Sequence, residues 1–337
     1  MKKGVTIKDI AKKLNMSVST VSKALNNDTS ISALTKERVH QLAKEWNYIP
    51  NEAARHFKLN KSFTIGLIIP NLLDQFYVLA INGVEAIAEK ENYNVVLSQS
   101  HEDVSNEEKI TNVMIRNRVD GVIVAITKNT VDMLLFQKLI TMGIPVVCIA
   151  REPKNSSFNY VLSNNGEGAF KATGYLIRKG HRRIAHIMGP QSMQTSQVRL
   201  QGYKHALLKS NIPIDPKLIK EVDFSERSTS SAMKELMKLK SPPTAIFAFK
   251  TYITLDAIDF LKKRYPDKVD HIDFVGFGNL PLLQYLDHKP IASIEERSYE
   301  MGEEAARLLF QIVNQQNGKQ NQEPQHILIP CKLVVSK

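Results

Sequence analysis

Residues Met16–Asn27 read MSVSTVSKALNN, a run that propensity alone does not favour as a helix, because serine, threonine and valine lose rotamer freedom there or bond to their own backbone. Its apolar positions Val18, Val21, Ala24 and Leu25 nevertheless recur at helical spacing and predict one buried stripe. The remaining face holds Ser19, Thr20, Ser22, Lys23 and Asn26, short hydrogen-bonders and one cation. Such side chains let a helix come close to another molecule, and they bond phosphate oxygens and base edges alike.

The flanking residues give this helix neighbours. Thr6-Ile7-Lys8-Asp9 has a capping-box pattern with Asp in the usual Glu/Gln place, and Ile7, Ile10, Ala11 and Leu14 follow at helical spacing. A turn at Asn15-Met16-Ser17 follows, with Ser17 placed to cap the second helix, and Asn26-Asn27-Asp28 ends it. A third helix from about Ser32 carries Val39, Leu42, Ala43 and Trp46 on one face. Two helices joined by about three residues, closed by a third, form a helix-turn-helix unit.

Charge marks the same region. The chain has 337 residues, 43% of them hydrophobic, and a formal net charge of +11. Residues 1–61 hold twelve Lys and Arg against five Asp and Glu, leaving a nearly balanced remainder. A basic block of this kind is the electrostatic footprint of a nucleic-acid-binding module. Only Cys148 and Cys331 occur, so neither a disulfide framework nor a Cys-based metal site is expected. No apolar run reaches signal-peptide or membrane-spanning length, and a soluble, cytoplasmic protein without membrane association is the expectation.

Asn51–Lys58 is rich in helix formers with little apolar face, and Asn60-Lys61-Ser62 reads as a linker. From Phe63 the texture changes to short apolar runs, among them Thr64–Pro70, Asn94–Leu97, Gly121–Ala125, Pro145–Ile149, Ile184–Met188, Ala245–Ala248 and Phe274–Phe277, separated by helical segments. This alternation predicts parallel sheets covered on both faces, with enough units for two doubly wound lobes and a ligand crevice between them.

Several spaced motifs carry a resemblance. VTIKDIAKKLNMSVSTVSKALN (Val5–Asn26), YIPNEAAR (Tyr48–Arg55), NRVDG (Asn117–Gly121), GHRRI (Gly180–Ile184), RLQGY (Arg199–Tyr203), PTA (Pro243–Ala245) and VGF (Val275–Phe277) resemble the words of the LacI/GalR family of bacterial transcription regulators over essentially the whole chain. The resemblance implies a DNA-binding headpiece at 1–50, a hinge helix and linker at 51–62, and a two-lobed core of periplasmic-binding-protein type at 63–337. It divides the core into an N-lobe of about 63–162 and 291–323 and a C-lobe of about 163–290 and 324–337. It also implies a homodimer on a pseudo-palindromic double-stranded operator, controlled by a small-molecule effector and acting in carbohydrate or related carbon metabolism.

Carried over position by position, the DNA-contacting set is Thr6, Ser17, Val18, Ser19, Thr20, Ser22, Lys23, Asn26, Ser32, Asn51, Ala54 and Phe57. Val18, Ser19 and Lys23 would face the major groove, with Lys23 standing where most relatives have arginine; Val18 also has a reading as a core residue. Phe57 stands where relatives insert a leucine into the minor groove, and phenylalanine is likewise a wedge.

The effector set departs from the family. The sugar-binding members' aspartates at three strand ends are here Ala150, Thr251 and Gly278. What remains is Phe76, Tyr77, Arg151, Asn164, Thr195, Arg199, Phe224, Lys250 and Asn279, with Asn165 and Asp74 nearby. Arg199 has two readings: it binds a ligand carboxylate or phosphate, or it pairs with an internal carboxylate and holds the lobes together. The first reading predicts an anionic sugar derivative. The missing aspartates also leave open a regulator controlled by a protein partner. No G-x-S-x-G elbow, P-loop or metal-spaced cluster is present, so neither enzymatic activity nor a cofactor is expected.

Overall fold

The computed structural model describes residues 5–48, 61–130, 132–154, 157–315 and 323–336. The chain divides into two compact units, residues 1–62 and 63–337. In the first, α1 (Ile7–Leu14), α2 (Val18–Leu25) and α3 (Ala33–Glu45) enclose a small core in which Ile10, Val21, Ala24 and Val39 are fully buried. Trp46 and Tyr48 pack on its edge. Asp9 accepts from the backbone N–H of Thr6 at 2.8 Å and from its hydroxyl at 2.7 Å, which fixes the start of α1. Asn15 in the left-handed region, φ 52°, ends α1 and turns the chain toward α2.

The second unit contains two six-stranded sheets. The first has the order β11-β5-β4-β3-β1-β2, all parallel, from β1 (Thr64–Ile69), β2 (Asn94–Gln99), β3 (Gly121–Val124), β4 (Val146–Ile149), β5 (Asn159–Ser163) and β11 (His326–Ile329). The second has the order β12-β10-β9-β8-β6-β7, from β6 (Ile184–Met188), β7 (Ile219–Glu221), β8 (Ala245–Ala248), β9 (Asp273–Phe277), β10 (Ala292–Glu295) and β12 (Lys332–Val335). It is parallel except at β12, which runs antiparallel to β10. Helices α4 (Gln75–Lys90), α5 (Val104–Arg116), α6 (Leu134–Thr141) and α11 (Ser298–Gln315) cover the first sheet. Helices α7 (Asn165–Arg178), α8 (Gln194–Lys209), α9 (Glu226–Met237) and α10 (Thr251–Arg264) cover the second. The strands β3, β4, β6 and β8 are buried along their length, and all but His186 of β6 are apolar, because both faces are covered.

The lobe boundaries differ from the expected ones at two of three crossings. β10 belongs to the second sheet, where Ala292 and Ile294 pack with Val275 and Phe277, so the chain returns to the first lobe after Glu295 and not at 291. β11 pairs with β5 in the first sheet, so the last crossing falls between Ile329 and Lys332 and not at 324. All three crossings therefore lie at strand ends.

The motif residues read earlier hold these elements together. A side chain at Gly202 would meet the Gly166 carbonyl at 2.3 Å, so α8 can lie against α7 only because position 202 has no Cβ. His181 spans Thr244 Oγ1 (3.0 Å) and Asp273 Oδ2 (2.9 Å) at the N-terminal ends of β6, β8 and β9, the sheet edge opposite the cleft.

Candidate DNA-contacting face and effector cleft

The exposed face of α2 carries short polar side chains. Ser17 caps α2, its Oγ accepting from Thr20 N–H at 3.0 Å and lying 2.8 Å from Thr20 Oγ1. Ser32 caps α3 in the same way through Thr35. The Asn26 amide donates to the Ser22 carbonyl at 2.8 Å. Among the described residues, the hydroxyls of Ser19 and Ser22 engage no protein group. Lys23 is exposed and reaches Ser30 only at 3.4 Å. Val18 is 41% exposed and stands outside the headpiece core, whereas Val21 and Ala24 of the same helix are fully buried. Exposed Leu34 on the first turn of α3 had no signal in the residue pattern. Asn51, Ala54 and Phe57 lie outside the described residues.

The second unit holds a cavity of about 480 Å³ between its lobes, at the C-terminal ends of the strands. Of the expected effector residues, Phe76, Tyr77, Arg151, Thr195, Arg199, Phe224, Lys250 and Asn279 line it. Asn164 does not: its Oδ1 accepts from Glu167 N–H at 3.2 Å and caps α7, while its neighbour Asn165 reaches the cavity. None of the three positions that replace aspartates presents a carboxylate. The Thr251 hydroxyl donates to the Phe277 carbonyl at 2.8 Å and also to that of Gly278, while Ala150 (φ 66°) and Gly278 (φ 98°) sit in the left-handed region. Phe224 also has a positive φ, 73°, a strain of about 1–3 kcal/mol for a bulky residue that clusters at binding sites.

Both arginines are already engaged. Arg151 forms a bidentate pair with Glu102 at 2.6 and 2.9 Å and also donates to the Ile126 carbonyl. Burial works to raise the Glu102 carboxyl, but the bonds and charge of Arg151, together with the backbone N–H and charge of Lys128, more than offset it and lower the group from its ordinary value. Arg199 is 4% exposed. Its guanidinium donates to Asn165 Oδ1 at 2.9 and 2.6 Å, to the Phe249 carbonyl at 2.5 Å and to Glu296 Oε1 at 2.6 Å. It stacks 3.5 Å from the Phe277 ring centroid and 4.5 Å from that of Phe249. Burial lowers the Arg199 pKa and raises that of Glu296, and the charge of each opposes the other's shift.

These contacts give Arg199 its internal reading. Asn165 stands just after the first lobe crossing and Glu296 within the second, so one buried guanidinium ties both crossings to the end of β8. Ser163 adds to the tie by donating to the Glu296 carbonyl at 2.8 Å. Glu296, Glu102, Phe249 and Tyr252 also line the cleft and had no signal in the residue pattern, while Phe277 lines it from the VGF motif.

Comparison with known proteins agrees with this layout. Residues 62–337 match the family model described as periplasmic binding proteins and sugar binding domain of LacI family, and residues 6–51 match that of bacterial regulatory proteins, lacI family. The HTH-type transcriptional repressor CytR of Escherichia coli K12 is 32% identical over 98% of this chain and 95% of its own length. The probable HTH-type transcriptional repressor ExuR of Bacillus subtilis is 33% identical over 84% of each chain. Among solved structures, the transcriptional regulator CelR in complex with cellobiose shares 28% identity with a TM-score of 0.72 over 98% of both chains. The lac repressor dimer bound to operator and the anti-inducer ONPF, at 22% identity and a TM-score of 0.81 over 98% of both chains, supports the fold. From its helix-turn-helix unit to its final strand, the chain belongs to the LacI family of bacterial transcriptional regulators.

Proposed function

We propose that this regulator is a cytoplasmic, non-catalytic homodimer whose two headpieces bind a pseudo-palindromic operator and whose affinity for it is set by a small effector in the interlobe cleft. The single observation that carries the reading is the α2 face, where Val18, Ser19 and Lys23 stand exposed on a helix anchored through Val21 and Ala24. In a helix-turn-helix unit the second helix enters the major groove with its N-terminal residues on base edges. Val18 is suited to a thymine methyl and Lys23 to guanine acceptors, while Ser17, Ser19 and Thr20 suit phosphates.

The dimer reading draws on exposed large apolar residues. Leu72, Leu73, Val96 and Val113 stand out on the first lobe, and Leu282 and Tyr285 on the second. β2, which carries Val96, is an unpaired sheet edge.

Competition between cleft ligands and operator tests the function. Full-length protein should retard a duplex selected from a random pool, and a compound that stabilises the core against heat should shift that affinity. A fragment beginning at Phe63 that still binds the duplex would overturn the assignment. A second reading, control by a protein partner, draws on the internal neutralisation of Arg151 and Arg199; operator affinity indifferent to every metabolite tested would favour it.

A further inference from the structure

The positive charge of the core is concentrated in one stretch. Residues 165–217 hold nine Lys and Arg against two Asp and Glu, whereas the rest of residues 62–337 is slightly acidic. Three of the nine are matched from within: Arg199 pairs with Glu296, Lys171 with Glu167 at 2.7 Å and Arg183 with Asp215 at 3.2 Å. Arg178, Lys179, Arg182, Lys204, Lys209 and Lys217 have no carboxylate at ion-pair distance among the described residues, and all but half-buried Lys204 are exposed.

The packing of α7 on α8 gathers these cations. Gly166 lies against Gly202, and the Phe170 and His205 rings stand 5.0 Å apart, so the two helices run in the same direction and end on the same edge of the lobe. That edge carries Arg178 and Lys179 from α7, Lys209 from α8, and Arg182, which donates to the Ile177 carbonyl at 3.4 Å. A cation in the last turn of a helix offsets its dipole, which gives Arg178 and Lys209 a use within the fold. That use does not extend to Lys204, in the interior of α8.

Between the two helices runs a groove of about 690 Å³. Half-buried Phe170 and Val198 line it together with Gly166 and Gly202, and His205 and Lys209 stand on its α8 side. The Lys209 Nζ is 5.3 Å from the Phe170 ring centroid, and neighbouring Leu208 is 60% exposed. No residue lines both this groove and the interlobe cavity.

We propose that this groove docks an acidic amphipathic helix of another protein, its apolar side chains against Phe170 and Val198 and its carboxylates toward Arg178, Lys204 and Lys209. An apolar seam flanked by unmatched cations is complementary to that one kind of helix, in shape and in sign. A phosphate backbone would use the cations and leave the apolar lining wet. A second copy docking through the same face would set like charges against each other, because an isologous contact pairs a patch with itself. The inference does not depend on what occupies the interlobe cleft.

Fluorescence anisotropy with the full-length protein tests this, the protein being held on an excess of its selected duplex so that the basic headpieces are occupied. The probe is a fluorescein-labelled peptide EELLEELLEELLE, at about 0.15 M salt to screen long-range attraction. It should bind at least about ten times tighter than the all-polar EESSEESSEESSE, through the buried leucines, and KKLLKKLLKKLLK should not bind. K204E/K209E should weaken the acidic peptide about tenfold or more. K238E/K240E, the same change of charge at the end of α9, should leave its affinity intact. Equal affinity for the all-polar peptide would reduce the face to a charge effect. That result, binding that survives K204E/K209E, displacement of the peptide by a non-specific duplex, or no binding at all would each overturn the inference.

Discussion

Replacing Arg199 by methionine should destabilise the core more than any other single change in the cleft. The side chain is 5% exposed and makes four hydrogen bonds, to Asn165, the Phe249 carbonyl and Glu296. Its removal leaves Glu296, 15% exposed at the side chain, without its counter-ion. Breaking one partner of a buried pair costs about 3–5 kcal/mol, whereas replacing both by apolar groups is often neutral. For a unit of this size each kcal/mol moves the melting temperature by roughly 2–4 °C, so R199M should lower the core transition by about 6–20 °C in scanning calorimetry. The double variant R199M/E296L should recover at least half of that. An R199M transition within about 3 °C of the parent, or a double variant that melts below R199M, would refute the clamp.

K23A should weaken operator binding by about 1–3 kcal/mol and relax preference at one base pair, read from a selection profile; uniform weakening across sequences would make Lys23 a phosphate contact. His186, buried between Phe247 and Tyr203 with Nδ1 2.9 Å from the Phe247 carbonyl and Nε2 unpartnered, has its pKa lowered from 6.5 to about 4, mainly by burial. Its folded pKa lies below the unfolded one, so its contribution is complete above pH 6.5 and is lost as the pH falls toward 4, about 3 kcal/mol in all. H186L should flatten that segment of a stability-versus-pH curve measured by urea unfolding, and an unchanged slope would contradict it. L73E and Y285E, at positions 86% and 81% exposed, should leave the secondary structure intact by circular dichroism while driving the sedimenting species toward monomer; dimers that persist at micromolar concentration would place the interface elsewhere.

What the amino-acid sequence disclosed depended on how far apart the partners lie. The α2 face was legible because Val21 and Ala24 alternate with Ser19, Ser22 and Lys23 within two turns, and capping by Ser17 and Ser32 is a contact at i+3. Strands such as β1, β3, β4, β6, β8 and β9 were legible as apolar runs, while β5, β7, β10 and β11 gave no such run, and the sheet each strand joins was not legible. β10 looks the same whether it pairs in the first lobe or the second, and only its register with Val275–Phe277 decides. Arg199 stood out as a cleft residue, yet its carboxylate lies 97 positions away and no local pattern announces Glu296. Asn164 and Asn165 show the finest grain of this limit: adjacent and identical, one caps a helix and the other holds a guanidinium.

Selection of duplexes from a fully randomised pool by the full-length protein tests the central claim most directly. The account predicts enrichment of two inverted half-sites whose centres stand about one helical turn, roughly 10 base pairs, apart, with binding that weakens steeply as salt rises. Enrichment of a lone half-site bound by a single chain, or no enrichment at any salt concentration, would contradict it.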